Sequence, residues 1–265
     1  MLYKVVALEQ VPEGEVQVYY IKADKWKSYP TWPIEADTGF TLHLTTRPNS
    51  ENPEAYALSA TAPVPPQLQD KHLASGTLTF QYDPLNPVMS VGGETLFSSS
   101  TRRGSLPQPP IGYRNDILFF LSEPLSHPLT IAGTVKATLY VSSDCEDTSF
   151  TYKISEVEAD GATHNIRSGI TTLAYRNNRY GARQSYTPQQ IVELHIETLP
   201  VTWQVKPGNR IRVDITSSNF PEYSIHTNYP GPWAEQTATR IATQTIYTGR
   251  EYPSRITFPT IQTAL

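Results

Sequence analysis

The chain has 265 residues, with 21 Lys+Arg against 25 Asp+Glu for a formal net charge of −4, one cysteine, 23 prolines, 16 tyrosines and 2 methionines. That charge gives no drive toward nucleic acid or an anionic membrane surface, and the lone Cys145 excludes an internal disulfide. The length suffices for one large all-β domain with a real core, and the proline-rich, aromatic composition favours many short strands over helices.

The first residues have no signal-peptide shape, because Glu9 arrives before any long apolar stretch. No apolar run approaches the roughly 20 residues of a membrane-spanning helix. A cytoplasmic location is the expectation. Alternation then marks strands along the chain. Val16, Val18 and Tyr20 share a face; Phe40, Leu42 and Leu44 share another, with His43 opposite. Residues 46–115 are rich in Pro and Ser and read as long loops laid over the sandwich. The doublet Gly92-Gly93 within them is not a phosphate loop, since neither a helix start nor Lys-Ser/Thr follows it. Beyond residue 115 strands become dense: Val135 to Val141, Phe150 to Ile154, and Val192 to Ile196. Asp83-Pro84, Asp160-Gly161, Pro207-Gly208 and Pro230-Gly231 supply turns. In the run 206–223, Pro207-Gly208 suits the centre of a type II turn. Ile211, Val213 and Ile215 then face one way and Arg210, Arg212 and Asp214 the other, as in a half-buried strand. The pattern predicts a β-sandwich or barrel, with 1–265 as a single domain.

Constellations that could carry chemistry are sparse. No Gly-x-Ser-x-Gly elbow exists, and Cys145 reads as a small buried hydrophobe. Glu193, His195 and Glu197 project from one face of a strand; such a trio could tune a histidine or hold a metal, and equally could be a solvated face with paired charges. Asp144, Glu146 and Asp147 crowd one loop, where carboxylates either bind calcium or satisfy backbone N–H groups. Trp26, Trp32, Trp203 and Trp233 suit sugar stacking or the capping of a core. No cofactor is implied.

Several segments together resemble the C-terminal domain of the X-Pro dipeptidyl-peptidase, cocaine esterase and α-amino-acid ester hydrolase family. They are 16–33 (VQVYYIKADKWKSYPTWP), 82–93 (YDPLNPVMSVGG), 116–125 (DILFFLSEPL), 133–150 (GTVKATLYVSSDCEDTSF), 207–221 and Tyr252-Pro253-Ser254. The resemblance implies a jelly-roll β-sandwich of the galactose-binding-like type. It implies that 1–33 is a handover segment from an α/β-hydrolase domain that supplies the Ser, His and Asp, in the same chain or in trans, and that homo-oligomers form. It also implies that Leu96 and Phe97, after the Gly-Gly turn, make apolar contacts in the substrate pocket. The chain departs from the family where Ser-Ser-Asn-Phe-Pro is usually followed by an aromatic and Asp-Arg-Asn; here Ser224, Ile225 and His226 follow Tyr223. His226 is therefore taken as a surface candidate along with Glu193, His195 and Glu197. The expected function is that of a non-catalytic domain or subunit of a serine ester or peptide hydrolase. The alternatives are a stand-alone module for carbohydrate or another small ligand, and an enzyme with new chemistry on this scaffold.

Overall fold

A computed structural model describes residues 14–34, 38–61, 76–94, 102–177, 180–232 and 235–261. The described residues form a jelly-roll β-sandwich. Its strands are β1 (Val16–Tyr20), β2 (Lys25–Tyr29), β3 (Thr38–Pro48), β4 (Tyr56–Ser59), β5 (Gly76–Tyr82), β6 (Leu118–Leu121), β7 (Leu129–Gly133) and β8 (Lys136–Ser143). They continue with β9 (Ser149–Val157), β10 (Thr163–Thr172), β11 (Val192–Glu197), β12 (Val201–Val205), β13 (Arg210–Thr216), β14 (Ala242–Thr248) and β15 (Arg255–Thr260). A 3-10 turn spans Leu173–Tyr175.

Hydrogen bonding runs in one path, β10-β9-β13-β6-β4-β3-β15-β8-β14-β5, with β11 on the free side of β8. All of these pairings are antiparallel except β4 with β6. The path turns from one layer to the other within β3, whose first half pairs with β15 and whose second half pairs with β4; His43 is the shared rung. Along β8, β14 and β15 lie end to end, because Pro253 breaks the strand between them. Ser254 fills the gap with its hydroxyl, which accepts from Tyr140 N at 2.9 Å and donates to Tyr247 O at 2.6 Å. This gives a physical reason for the Tyr-Pro-Ser run in the sequence.

The core lies between the layers. The alternating residues Leu139 and Val141, Phe150 and Ile154, Leu194 and Ile196, and Ile211, Val213 and Ile215 all meet in one apolar cluster. Each fully buried side chain of this kind contributes roughly 1.5–3 kcal/mol. Gly208 takes a φ of 83°, and Asn209 N bonds to Lys206 O at 3.2 Å, so the Pro207-Gly208 turn forms where the sequence places it.

Two features differ from the sequence reading. The stretch 46–115 contains β4 and β5, both rungs of the sheet, as well as loop. And β13 is buried along its whole length, on both faces. The segment 106–116 covers the outer face of β9 and β13: Lys153 Nζ donates to Gln108 Oε1 (2.8 Å), Arg212 Nη1 to Pro109 O (2.7 Å), and Thr216 Oγ1 to Asp116 O (2.9 Å). The polar face that alternation would leave to water is sealed under a loop.

The segment 16–29 forms the hairpin β1–β2, which docks on β12 through an Ile21–Trp203 bridge. Ile21 N donates to Thr202 O (3.2 Å), and Gln204 N donates to Ile21 O (3.0 Å). Val18 and Tyr20 pack with Ala132 and Ile261 in a cluster of their own.

Candidate functional site

Polar contacts from several elements converge on the Gly-Gly turn. Gly93 and Gly104 pair as an isolated antiparallel bridge, each N–H donating to the other's carbonyl at 2.9 Å. Both glycines of the doublet are required. Gly92 has φ 75°, and a Cβ on it would stand 2.3 Å from Gly104 O; Gly93 has φ 83°, and its Cβ would stand 2.7 Å from Glu222 Oε1.

Side chains from β9, β10 and the loop after β13 hold this base. Asn165 of β10 donates to Gly104 O (3.2 Å) and accepts from Leu106 N (2.8 Å) and Gln108 Nε2 (3.0 Å). Gln108 Nε2 also reaches Val91 O at 2.9 Å. Glu222 accepts from Glu94 N at 3.1 Å and from Asn219 Nδ2. Arg167 of β10 pairs with the Glu94 carboxylate, and Ser168 exchanges a hydrogen bond with Tyr223 at 2.9 Å. A cavity of about 20 Å³, roughly one water in size, lies among Lys153, Asn165, Arg167, Ser168, Asn219 and Glu222.

Burial sets the electrostatics here. Desolvation raises the Glu222 carboxyl above the usual carboxylate range, against opposing pulls from Ser168, Lys153 and Arg167. Desolvation also pushes the Tyr223 phenol up to about 12, with the Glu222 charge adding to it. Lys153 is lowered by desolvation, which Asp214, 3.7 Å away, partly offsets. None of these groups presents a nucleophile and base in contact; the arrangement positions backbone.

The structure separates the residues singled out from sequence. Leu96 and Phe97 lie outside the described residues, as does Trp233. Glu193, His195 and Glu197 stand together on the exposed face of β11, with His195 Nε2 3.3 Å from Glu193 Oε1 and Glu197 3.2 Å from Lys136. His226, expected on the surface, is fully buried. Its Nδ1 accepts from Asn228 N (2.9 Å), its carbonyl accepts from the Tyr82 hydroxyl (3.0 Å), and its Nε2 is 3.7 Å from Asp147. The loop that departs from the family pattern folds inward, so His226 is no surface residue.

The crowded carboxylates serve the backbone. Asp147 Oδ1 accepts from Thr148 N (3.0 Å) and Ala174 N (3.1 Å), and Asp144 Oδ1 accepts from Thr243 N (2.9 Å). Among the described residues no three His, Cys, Asp or Glu side chains gather as metal ligands. Burial, with Asp144 beside it, pushes the Cys145 thiol up to about 12, which leaves it inert as a nucleophile. Trp203 is buried, its Nε1 donating to Glu156 Oε2 at 2.9 Å, whereas Trp26 and Trp32 are exposed. Trp203 therefore shares no stacking platform with them. Among the described residues, no helix is long and apolar enough to cross a membrane.

Sequence reasoning missed Asn165, Arg167, Lys153 and Glu222. One signal was available: Lys153 interrupts the run Ser149 to Ser155, whose other residues are apolar or hydroxyl, and Glu222 sits inside the 206–223 run.

Residues 9–257 match the X-Pro dipeptidyl-peptidase C-terminal non-catalytic domain. Cocaine esterase of Rhodococcus sp. (strain MB1 Bresler) is 32% identical over 261 residues, covering 97% of this chain and 43% of the esterase. An aminopeptidase from the marine sediment archaeon Thaumarchaeota archaeon shares the fold with a TM-score of 0.75 at 24% identity, over 93% of this chain and 40% of its own. A selenomethionine-labelled α-amino acid ester hydrolase also superposes with a TM-score of 0.75 at 24% identity, over 92% of this chain and 40% of its own. The chain thus spans less than half the length of these relatives, and the matched region is the non-catalytic one. The chain belongs to the family of X-Pro dipeptidyl-peptidase C-terminal non-catalytic domains.

Proposed function

We propose that this chain, acting as one domain, packs against an α/β-hydrolase domain, in the same chain or in trans, and lends that domain's pocket a wall. The wall would be the segment between Gly93 and Gly104, with Leu96 and Phe97 as its apolar contacts. The Ser nucleophile, His base and Asp orienter would belong to the other domain, and the substrates would be esters, amides or X-Pro peptides.

The observation that carries this reading is the pinned base. Asn165, Gln108 and Glu222 tie Gly104, Val91 and Glu94, so both ends of the segment that carries Leu96 and Phe97 are fixed to the domain. Exposed Met89 and Phe220, paired as a bridge beside the turn, add apolar surface next to it.

The test is kinetic. In the hydrolase this chain forms with its α/β-hydrolase domain, the double variant Leu96→Ala/Phe97→Ala should raise KM roughly tenfold with kcat little changed, as expected for lost apolar contact with substrate. An unchanged KM would remove Leu96 and Phe97 from the pocket.

A further inference from the structure

A second polar site shares no residue with the Gly-Gly turn. It forms where the loop between β8 and β9, the end of β10 and the loop after β13 come together. There Asp147, Thr172, Tyr175, Arg183, Gly231 and Pro232 line a cleft of about 380 Å³. That volume is near the lower end of the range for small-molecule sites, with room for one ring rather than a chain. Asp147 and Thr172, 3% and 7% exposed, form its floor, while Tyr175, Arg183 and Pro232 stand at the exposed rim.

The floor holds polar capacity that the fold does not use. Asp147 Oδ1 is satisfied, accepting from Thr148 N and Ala174 N. Oδ2 has looser neighbours, Arg183 Nη2 at 3.3 Å and His226 Nε2 at 3.7 Å. Both are longer than the about 2.7–2.9 Å of a tight charge-assisted bond. A carboxylate offers about four lone-pair sites across its two oxygens, and Oδ2 is the oxygen left short.

Thr172 adds a hydroxyl. It precedes the 3-10 turn at Leu173–Tyr175, a place where threonine commonly caps with its side chain, yet it makes no cap bond. The neighbouring Thr171 hydroxyl donates to Tyr175 O at 3.2 Å instead. Thr172 Oγ1 is buried with no hydrogen-bond partner among the described residues, which costs free energy. No bond holds it in its rotamer, so a ligand hydroxyl can draw it into the cleft.

The rim decides the class of ligand. Arg183 and Asp147 carry opposite charges side by side, so a cation meets the guanidinium and an anion meets the carboxylate. A neutral molecule with adjacent hydroxyls suits both: one donates to Asp147 Oδ2 and the next accepts from Arg183. The Tyr175 ring, 38% exposed, and the Pro232 ring supply apolar surface for a C–H face.

We propose that this cleft binds one neutral sugar ring, free or at the end of a glycan, through Asp147, Thr172 and Arg183. The site does not depend on a hydrolase partner.

Binding to the 265-residue chain, followed by saturation-transfer NMR, tests it. The probes are D-glucose, D-galactose and D-mannose, their methyl glycosides, and the 2-amino and uronic acid analogues of each. At least one neutral sugar should bind with a Kd on the order of 1 mM, and more tightly than its charged analogues. Equal binding of its methyl glycoside identifies the end of a glycan as the source; binding of the free sugar alone identifies the free sugar. Thr172→Val removes an unpartnered hydroxyl, so it should keep the urea midpoint and weaken binding roughly fivefold. Arg183→Gln should weaken it roughly tenfold. No binding of any neutral sugar below about 100 mM would overturn the proposal. So would a wild-type Kd in both variants, or tighter binding of a charged analogue.

Discussion

Strands β11 and β13 carry the same pattern and meet different fates. Both alternate apolar with charged residues: Leu194 and Ile196 against Glu193, His195 and Glu197 in one, and Ile211, Val213 and Ile215 against Arg210, Arg212 and Asp214 in the other. In both the apolar set enters the core. The charged set of β11 faces water at the edge of its layer, where only β8 pairs with it. The charged set of β13 lies in the middle of its layer, between β6 and β9, under the loop 106–116. Period-two alternation thus identifies which face is core; whether the other face is wet depends on what the rest of the chain lays over it.

The sharpest way to break this comparison is Arg212→Ala. Arg212 is 1% exposed and makes a two-pronged pair with Asp214, at 2.7 and 2.9 Å, while its third nitrogen reaches Pro109 O. Its guanidinium carbon also lies 5.0 Å from the Phe119 ring centre. Removing it leaves the buried Asp214 carboxylate with Lys153, 3.7 Å away, as its cation and takes away the two short bonds that satisfied it, and it unties the covering loop. The expected loss is about 3–5 kcal/mol, read from urea unfolding. A loss below about 1 kcal/mol, the range of surface pairs, would mean that this face is wet after all.

Lys153 sharpens the comparison through pH. Its ammonium is lowered below the usual 10.5 mainly by burial, so the folded state releases that proton before the unfolded state does. Between the folded value and 10.5 the unfolded chain binds more protons, and this group's contribution to stability therefore rises with pH, with a slope of at most about 1.4 kcal/mol per pH unit. Its cost is fully present below that window. Lys153→Met should remove the slope, flattening the difference between urea midpoints measured at pH 8 and at pH 10. At pH 7 the change should stay within about 1 kcal/mol, because Asp214 keeps its two bonds to Arg212. A variant that keeps the wild-type slope would show that another group carries it.

These contrasts also mark what the sequence could reveal. The strands around Leu139, Phe150, Leu194 and Val213 were legible because each buries one alternating face, and the Pro207-Gly208 turn because only glycine takes that φ easily. That Ser254 mends the ladder beside Pro253 was not legible, since it depends on Tyr140 arriving from β8. The same holds for the residues around the Gly-Gly turn. Asn165 and Arg167 lie far in the chain from both Glu222 and Gly93, and the three acquire meaning only when β10 and the loop after β13 are brought beside Gly93. His226 failed as a surface candidate for a related reason: the polarity of a loop residue says nothing about whether Asp147 and Asn228 wait for it inside.

The smallest effect should come from the trio that looked most like chemistry. On β11, Glu193 is bonded to the Tyr140 hydroxyl at 3.0 Å and lies 3.3 Å from His195, while Glu197 pairs with Lys136 at 3.2 Å. Water screens all three, and exposed pairs of this kind are worth about 0.2–1 kcal/mol at most. His195→Ala should therefore shift the urea midpoint by an amount equivalent to less than about 0.5 kcal/mol at pH 7. The strand keeps its place without the imidazole because Leu194 and Ile196 hold it from the core side. If His195→Ala instead costs as much as Arg212→Ala, the exposed face of β11 is covered in the working protein, and the difference between the two strands disappears on assembly.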